Sequence, residues 1–257
     1  MLLPFLSALV LARRLDWDTL PASGAALLLF LVREPLVVLW RQAATRKDRR
    51  SETTAAWRSL ICYAPAIAVA AVLLFWRLPA GPLLALSLMA GVLLLSSTYL
   101  VVHNRRRSVA LQVSSAAGLS ASAVLAWLSV RPQVEEAVLW LWGLQFAHST
   151  AAVLAVHARL EARIAVRASR DLDKARRRAI VAQALLLAGA ALLGALGKWG
   201  LAAALALSGG VHSTDLWRLR NRRFVEIPLQ RVGLRELAIS TAVSALLLMG
   251  LWGTVGH

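Results

Sequence analysis

Cysteine and charged residues are scarce in this chain of 257 residues. The single cysteine, Cys62, has no partner within the chain, which excludes a disulfide scaffold. Only 16% of the residues are charged and 59% are hydrophobic, whereas soluble globular chains have about 25% charged and about 45–50% apolar residues. The apolar content excludes intrinsic disorder, and the low charge excludes a soluble domain that binds nucleic acid. The composition predicts an integral membrane protein with no nucleic-acid partner.

The hydrophobic residues form long runs, which predict membrane-spanning helices. A helix needs roughly 20 apolar residues to cross about 30 Å of hydrocarbon. The first segment, Met1–Ala12, is too short to cross alone, and it lacks the basic leading region and cleavage site of a signal peptide. We predict an all-α, polytopic transmembrane helical bundle of about nine spans, the first truncated, in one domain over residues 1–257. The other eight predicted spans are Leu20–Trp40, Ser59–Trp76, Pro82–Val102, Val109–Leu128, Val134–Val156, Ala179–Leu196, Leu201–Leu216 and Leu237–Val255.

Loops that are rich in basic residues alternate along the chain with loops that contain few. The chain has 29 Lys and Arg residues against 13 acidic ones, and most of the basic residues lie in four blocks. Cytoplasmic loops carry the excess of Lys and Arg, so the alternation predicts a multi-pass protein of the inner (plasma) membrane with its amino terminus inside and its carboxyl terminus outside. The four blocks are Arg41–Arg58, Arg105–Arg107, Arg159–Arg178 and Arg218–Arg235.

Arg33 and Glu34 lie inside the second predicted span. An ionisable group at such depth costs about 2.5–3.5 kcal/mol on insertion scales, so each of them is a candidate functional residue. Pro35 follows directly and removes a helical hydrogen bond. Adjacent helical residues point about 100° apart, so the two charges do not pair face to face. At least one of them is expected to pair with another helix or a ligand, and a structural ion pair between helices is the alternative.

A tripeptide is repeated near the cytoplasmic ends of two spans, as His148-Ser149-Thr150 and His212-Ser213-Thr214. Asp215 follows His212 on one face of its helix and is placed to orient the imidazole. These groups indicate either polar contacts that join helices or a pocket for a head group or diphosphate. No two histidines within one helix have metal-ligand spacing, so neither a metal nor a haem site is predicted. We predict a cytoplasmic-side cavity lined by Arg33, Glu34, His148, Ser149, His212 and Asp215.

The basic block from Arg159 to Arg178 is predicted to extend a helix below the membrane. Arg159, Arg163, Arg167 and Arg170 recur every three or four residues and form one cationic strip. Adhesion to anionic lipid explains such a strip, at about 1 kcal/mol per basic residue. The more specific interpretation is an anion pocket in which Arg side chains bind a phosphate through paired hydrogen bonds. For that pocket, the candidate head-group residues are Arg105, Arg159, Arg163 and Arg222.

Three short stretches resemble the YwiC-like family of bacterial membrane proteins. They are Phe30–Leu36 with the basic loop after it, Leu229–Ala238 at the last span, and Met1–Pro4, which is similar to the middle of that family's first helix. The resemblance covers nearly the whole chain. It implies that the recorded start falls inside the gene, which is why we interpret the first span as truncated. It implies no defined biochemical activity.

Nine helices with the amino terminus inside are also similar to UbiA-type prenyltransferases. Those enzymes hold Mg²⁺ on a prenyl diphosphate with aspartate-rich motifs after the second and sixth helices. The corresponding loops here offer only Asp48 with Glu52, and Asp171 with Asp173, all among Arg and Lys. The surrounding cations oppose the negative oxygens that a hard cation requires. Magnesium is therefore not expected, no other cofactor is evident, and arginines would have to neutralise a diphosphate directly.

The leading functional hypothesis is a protein that binds an anionic lipid or an isoprenoid phosphate in the cytoplasmic-side cavity. One alternative is a small-solute or ion transporter, of which an intramembrane Arg–Glu pair and a proline-interrupted helix are typical. The other is a prenyltransferase-like membrane enzyme, for which the sequence indicates no catalytic residue. Membrane lipids are the expected partners, and nothing in the sequence indicates a protein partner.

Overall fold

A computed structural model of the chain describes residues 2–45, 50–102, 109–168, 173–219 and 222–255. Within these ranges the regular structure is entirely helical, which confirms the predicted fold class. Ten helices follow one another: α1 (Leu2–Ala12), α2 (Thr19–Thr45), α3 (Arg50–Arg77), α4 (Ala80–Val102), α5 (Val109–Leu128), α6 (Glu136–Ala168), α7 (Asp173–Ala195), α8 (Trp199–Arg218), α9 (Arg222–Val225) and α10 (Leu229–Leu251).

Seven of the described helices, α2 to α7 and α10, are long and apolar enough to cross a membrane. The chain is therefore a multi-pass membrane protein. The other two predicted spans correspond to α1, with 11 residues, and to α8, which has 20 residues but carries a polar stripe. Several helices exceed their predicted spans: α3 begins at Arg50 rather than Ser59, and α6 continues to Ala168 rather than ending at Val156. The additional turns of these helices carry charged residues, so a prediction based on the length of apolar runs does not include them.

Contacts between helix ends show that consecutive helices run antiparallel. At one end, Arg77 on α3 pairs with Asp18 before α2 at 2.9 Å, and the Arg13 guanidinium donates to the Trp252 carbonyl at 2.8 Å. At the other end, Arg41 on α2 pairs with Glu52 on α3 at 3.4 Å. The helix ends that carry the described parts of the basic blocks all lie at this second end, named here the basic end. Which side of the membrane it faces stays a prediction.

The core is densest where α1, α5, α6, α8 and α10 meet. Trp127 on α5 is fully buried there, and its indole N–H donates to the Gln133 carbonyl at 2.9 Å. The backbones of α8 and α10 touch where Gly200 faces Gly250: a Cβ on Gly200 would lie 2.5 Å from the Gly250 Cα. Only glycine permits this approach, because a side chain would push the two helices apart.

Candidate functional site

The described part of the chain contains an elongated internal cavity of about 440 Å³. We name it the apolar cavity. Its wall comes from α2, α3, α4 and α5, with Phe5 from α1, and most lining side chains are aliphatic or aromatic. Arg33 is the one lining residue that carries a charge. The other polar lining residues are serines: Ser23, Ser87, Ser97, Ser114, Ser115 and Ser122.

Arg33 reaches the apolar cavity without a protein partner. Its side chain is half-buried, and its Nε is buried with no hydrogen bond to any described residue. No described carboxylate forms an ion pair with it. A buried cation is costly unless it is paired, so this guanidinium is the strongest indication of a ligand in the described structure.

The depth of Arg33 follows from its position along α2. At the end opposite the basic end, Thr19 at the start of α2 lies 3.4 Å from Ser129, just after α5. Counting fourteen residues inward along both antiparallel helices, about 21 Å at 1.5 Å per residue, reaches Arg33 on α2 and Ser115 on α5. Arg33 and Ser115 therefore lie at similar depth, toward the basic half of the apolar cavity.

Glu34 does not share this site. It is exposed on the outside of the bundle and is not among the residues that line the apolar cavity. Because α2 continues as a helix through Pro35, Glu34 points away from its neighbour Arg33, as the 100° step predicts. The structure thus separates the two charges that the sequence analysis had placed together, and it shows no Arg33–Glu34 ion pair.

The two predicted histidines form a separate cluster that joins α6, α8 and α10. We name His148, Ser208, His212, Glu236 and Ser240 the polar joint. His148 contacts the Ser208 hydroxyl through Nδ1 at 2.7 Å and the Ser240 hydroxyl through Nε2 at 3.1 Å. His212 contacts the Ser208 carbonyl through Nδ1 at 2.7 Å and a Glu236 carboxyl oxygen through Nε2 at 2.9 Å. Both rings are buried and lie 6.1 Å apart.

The geometry fixes the protonation of the polar joint. A carbonyl oxygen only accepts hydrogen bonds, so Nδ1 of His212 carries a proton and donates to Ser208. A bare Nε2 facing a carboxylate would place two lone pairs against each other. One proton must therefore lie between His212 and Glu236. With these bonds the polar groups of both histidine rings are satisfied by the protein itself, which is typical of a structural contact between helices.

Three charged residues surround the polar joint on its basic side. Asp215 pairs with Arg235 on α10 at 2.5 Å. Arg159 is buried, donates to the Phe224 carbonyl, and lies 4.3 Å from the centre of the Phe224 ring. The space between Arg159, Asp215 and Glu236 amounts to about 10 Å³, which is room for about one water molecule. This space between the described side chains is too small for a ligand larger than water.

The remaining predicted residues are placed as follows. Ser149 is half-buried on α6 and forms no hydrogen bond to a described residue. Arg163 is half-buried in the basic extension of α6. Arg105 lies outside the described residues, and nothing is described of the Arg222 side chain. Of the residues considered for magnesium, Glu52 pairs with Arg41, while Asp48 and Asp171 lie outside the described ranges. Among the described residues, no group of three His, Cys, Asp or Glu side chains is arranged for a metal ion.

The sequence analysis missed the contribution of α10 to the polar joint. Glu236 and Ser240 are one helical turn apart and face His212 and His148 respectively. The signal was present, because a Glu and a Ser at i and i+4 form a polar stripe on an otherwise apolar helix. Only the packing of α10 against α6 and α8 shows which histidines that stripe meets.

The architecture defines a multi-pass helical membrane protein with an internal apolar cavity. The family model described as YwiC-like protein matches residues 1–127, which confirms the resemblance over that stretch of the chain. The matched stretch contains every residue that lines the apolar cavity, from Phe5 to Leu125. The similarity noted at Leu229–Ala238 lies outside it. No curated protein and no solved structure matches the chain, so the likeness to prenyltransferases stays a prediction.

Proposed function

We propose that this membrane protein binds an amphiphile with an anionic head group, either an anionic lipid or an isoprenoid phosphate, in the apolar cavity. The observation that carries the proposal is Arg33, an unpaired cation in a cavity otherwise lined by apolar and hydroxyl side chains. An anionic head group would pair with the guanidinium, and the hydrocarbon part would fill the remaining space. A volume of about 440 Å³ falls within the range of about 300–1,000 Å³ typical of ligand pockets.

Lateral access from the bilayer supports a lipid-like ligand. The long helix α3 packs extensively on α2 but touches α4 at few positions, although α3 and α4 both line the apolar cavity. Phe75 on α3 and Ser87 on α4 line it while remaining exposed. The gap between these helices therefore gives a hydrophobic molecule a route from the membrane into the cavity.

The competing functions have weaker support. Transport was suggested by an intramembrane Arg–Glu pair, and Arg33 and Glu34 are not paired. Prenyl transfer was suggested by the predicted nine helices with the amino terminus inside, and of the few carboxylates in the corresponding loops, Glu52 is engaged by Arg41. Binding of an amphiphile is the function that the geometry supports best.

Filling the apolar cavity is expected to remove its ligand. Gly91 lines the cavity, and a Cβ built on it meets no atom within 4 Å, so Gly91→Phe places a ring in the space without an initial clash. We expect the purified variant to fold and to lose at least about 90% of the anionic amphiphile that co-purifies with the wild type, measured by native mass spectrometry and lipid extraction.

Gly143→Phe is the matched control. Gly143 also has open space at its Cβ, but it is exposed on α6, away from the apolar cavity. This variant should retain the ligand. Equal ligand content in the wild type and in Gly91→Phe would refute binding in the cavity.

A further inference from the structure

We infer that the ligand is a single-chain amphiphile whose head carries one negative charge, of which a long-chain carboxylate is the simplest. The inference rests on the proposed function and narrows it. It separates this ligand from two-chain phospholipids and from diphosphates, which the broader proposal does not distinguish. Three features of the apolar cavity carry it: the depth of its cation, the residues around its polar half, and its volume.

The first feature is depth. Arg41, eight residues beyond Arg33 on α2, pairs with Glu52 where α2 and α3 meet at the basic end. Arg33 lies about 12 Å deeper than Arg41 along the helix, at 1.5 Å per residue. A phospholipid whose phosphate reached Arg33 would have to bring its polar glycerol and ester groups to the same depth, where most of the lining is apolar. A single-chain molecule with a compact head meets no such obstacle.

The second feature is charge. Arg33 is the one cation among the described residues that line the apolar cavity. The other polar side chains in its basic half are hydroxyls, of which Ser97 donates to the Leu94 carbonyl, and Ser114 and Ser115 donate to the Leu111 carbonyl, at 2.8–2.9 Å. One guanidinium matches a monoanion, and its planar fork pairs with both oxygens of a carboxylate. A phosphate monoester, at about −1.5 to −2 near neutral pH, would keep uncompensated charge.

The third feature is room for the chain. From Arg33 to Ser23, both on α2 and both lining the apolar cavity, the distance is about 15 Å along the helix. Phe5, Leu83 and Leu125 line the same apolar half. About 440 Å³ lies in the lower part of the range for pockets that hold one drug-sized molecule. That is enough for one extended hydrocarbon chain and too little for two.

The test is a binding comparison among three probes of equal chain length. The full-length protein is placed in nanodiscs of zwitterionic phosphatidylcholine and titrated with hexadecanoate, hexadecyl phosphate or dihexadecanoyl phosphatidylglycerol. Native mass spectrometry of the protein released from the nanodiscs reports binding, and each titration is repeated with Arg33→Gln. We expect hexadecanoate to bind at least about tenfold more tightly than either other probe, and Arg33→Gln to remove that advantage.

The outcomes separate the inference from the proposed function. Arg33-dependent binding of the phosphatidylglycerol, as tight as that of hexadecanoate, overturns the single-chain requirement and leaves the proposed function standing. Tighter Arg33-dependent binding of hexadecyl phosphate overturns the single-charge requirement in the same way. If none of the probes binds in an Arg33-dependent manner, and Gly91→Phe also retains its co-purified lipid, both the inference and the proposed function are wrong.

Discussion

Replacing Arg33 by Gln is expected to lower ligand occupancy of the purified protein by about ten- to a hundredfold. The guanidinium is unpaired among the described residues, so the variant removes a contact to the ligand and no protein ion pair. A hydrogen bond to a charged group contributes about 1.5–3 kcal/mol, and each 1.4 kcal/mol is about tenfold in affinity. The measurement is the amount of anionic amphiphile per protein after purification, determined by native mass spectrometry.

Arg58→Gln is the control for the loss of charge. Arg58 is exposed on the basic-end part of α3 and does not line the apolar cavity. Like Arg33→Gln, this variant removes one positive charge from the basic half of the bundle, so any general weakening of lipid adhesion should appear in both variants. We expect wild-type occupancy in this variant. An equal loss in both variants would show that surface charge, and not the cavity, retains the lipid.

Replacing His212 by Leu is expected to destabilise the bundle by about 1–3 kcal/mol, the cost of leaving a largely buried hydrogen-bonding group without its partner. Leu fills a similar volume but leaves the Glu236 carboxyl without its 2.9 Å contact where α8 meets α10. The free energy of unfolding can be measured by titration with sodium dodecyl sulfate from mixed micelles, followed by circular dichroism. Ligand occupancy per folded protein should stay at the wild-type level, because the polar joint lies apart from the apolar cavity.

Glu236→Gln separates hydrogen bonding from charge at the same position. The Gln amide N–H can donate to Nε2 of a neutral His212 while Nδ1 still donates to the Ser208 carbonyl. We therefore expect a loss of less than about 1.5 kcal/mol, the net worth of one ordinary hydrogen bond. If both variants lose the same stability, or neither loses any, the polar joint is not the structural connection described here.

The helical class and most helices were predictable because apolar run length is a direct physical requirement of the bilayer. The prediction fails where helices leave the hydrocarbon: the first turns of α3 and the last turns of α6 are charged, so hydropathy does not extend to them. The polar helix α8 was nevertheless predicted, and the alternation of basic loops supports it, since two basic blocks on the same side require two crossings between Arg159–Arg178 and Arg218–Arg235. The polar side chains of His212 and Asp215 on this helix are accommodated because they pair with Glu236 and Arg235 on α10.

The candidate site was only partly predictable. The cost of a buried charge singled out Arg33 and Glu34, and the repeated tripeptide singled out His148 and His212, with Asp215 beside the second. Sequence spacing describes one helix at a time and cannot tell which helices pack together, so it merged two places that the fold keeps apart. His148 and His212 lie next to each other and contact α10, whereas Arg33 lines the apolar cavity together with α3, α4 and α5. The apolar cavity itself has no sequence signal, because small and aliphatic residues line a cavity and a packed core alike.

The most direct test of the ligand and its position is photolabelling in the bilayer. Wild-type protein in nanodiscs is irradiated with hexadecanoate that carries a diazirine at the far end of its chain, and labelled peptides are identified by mass spectrometry. Binding as described predicts label on Phe5, Leu83 and Leu125, which line the apolar cavity, with competition by unlabelled hexadecanoate and loss of label in Arg33→Gln. Label confined to outward-facing residues such as Leu88 and Leu95, which are 72% and 60% exposed, and unchanged in Arg33→Gln, would contradict it.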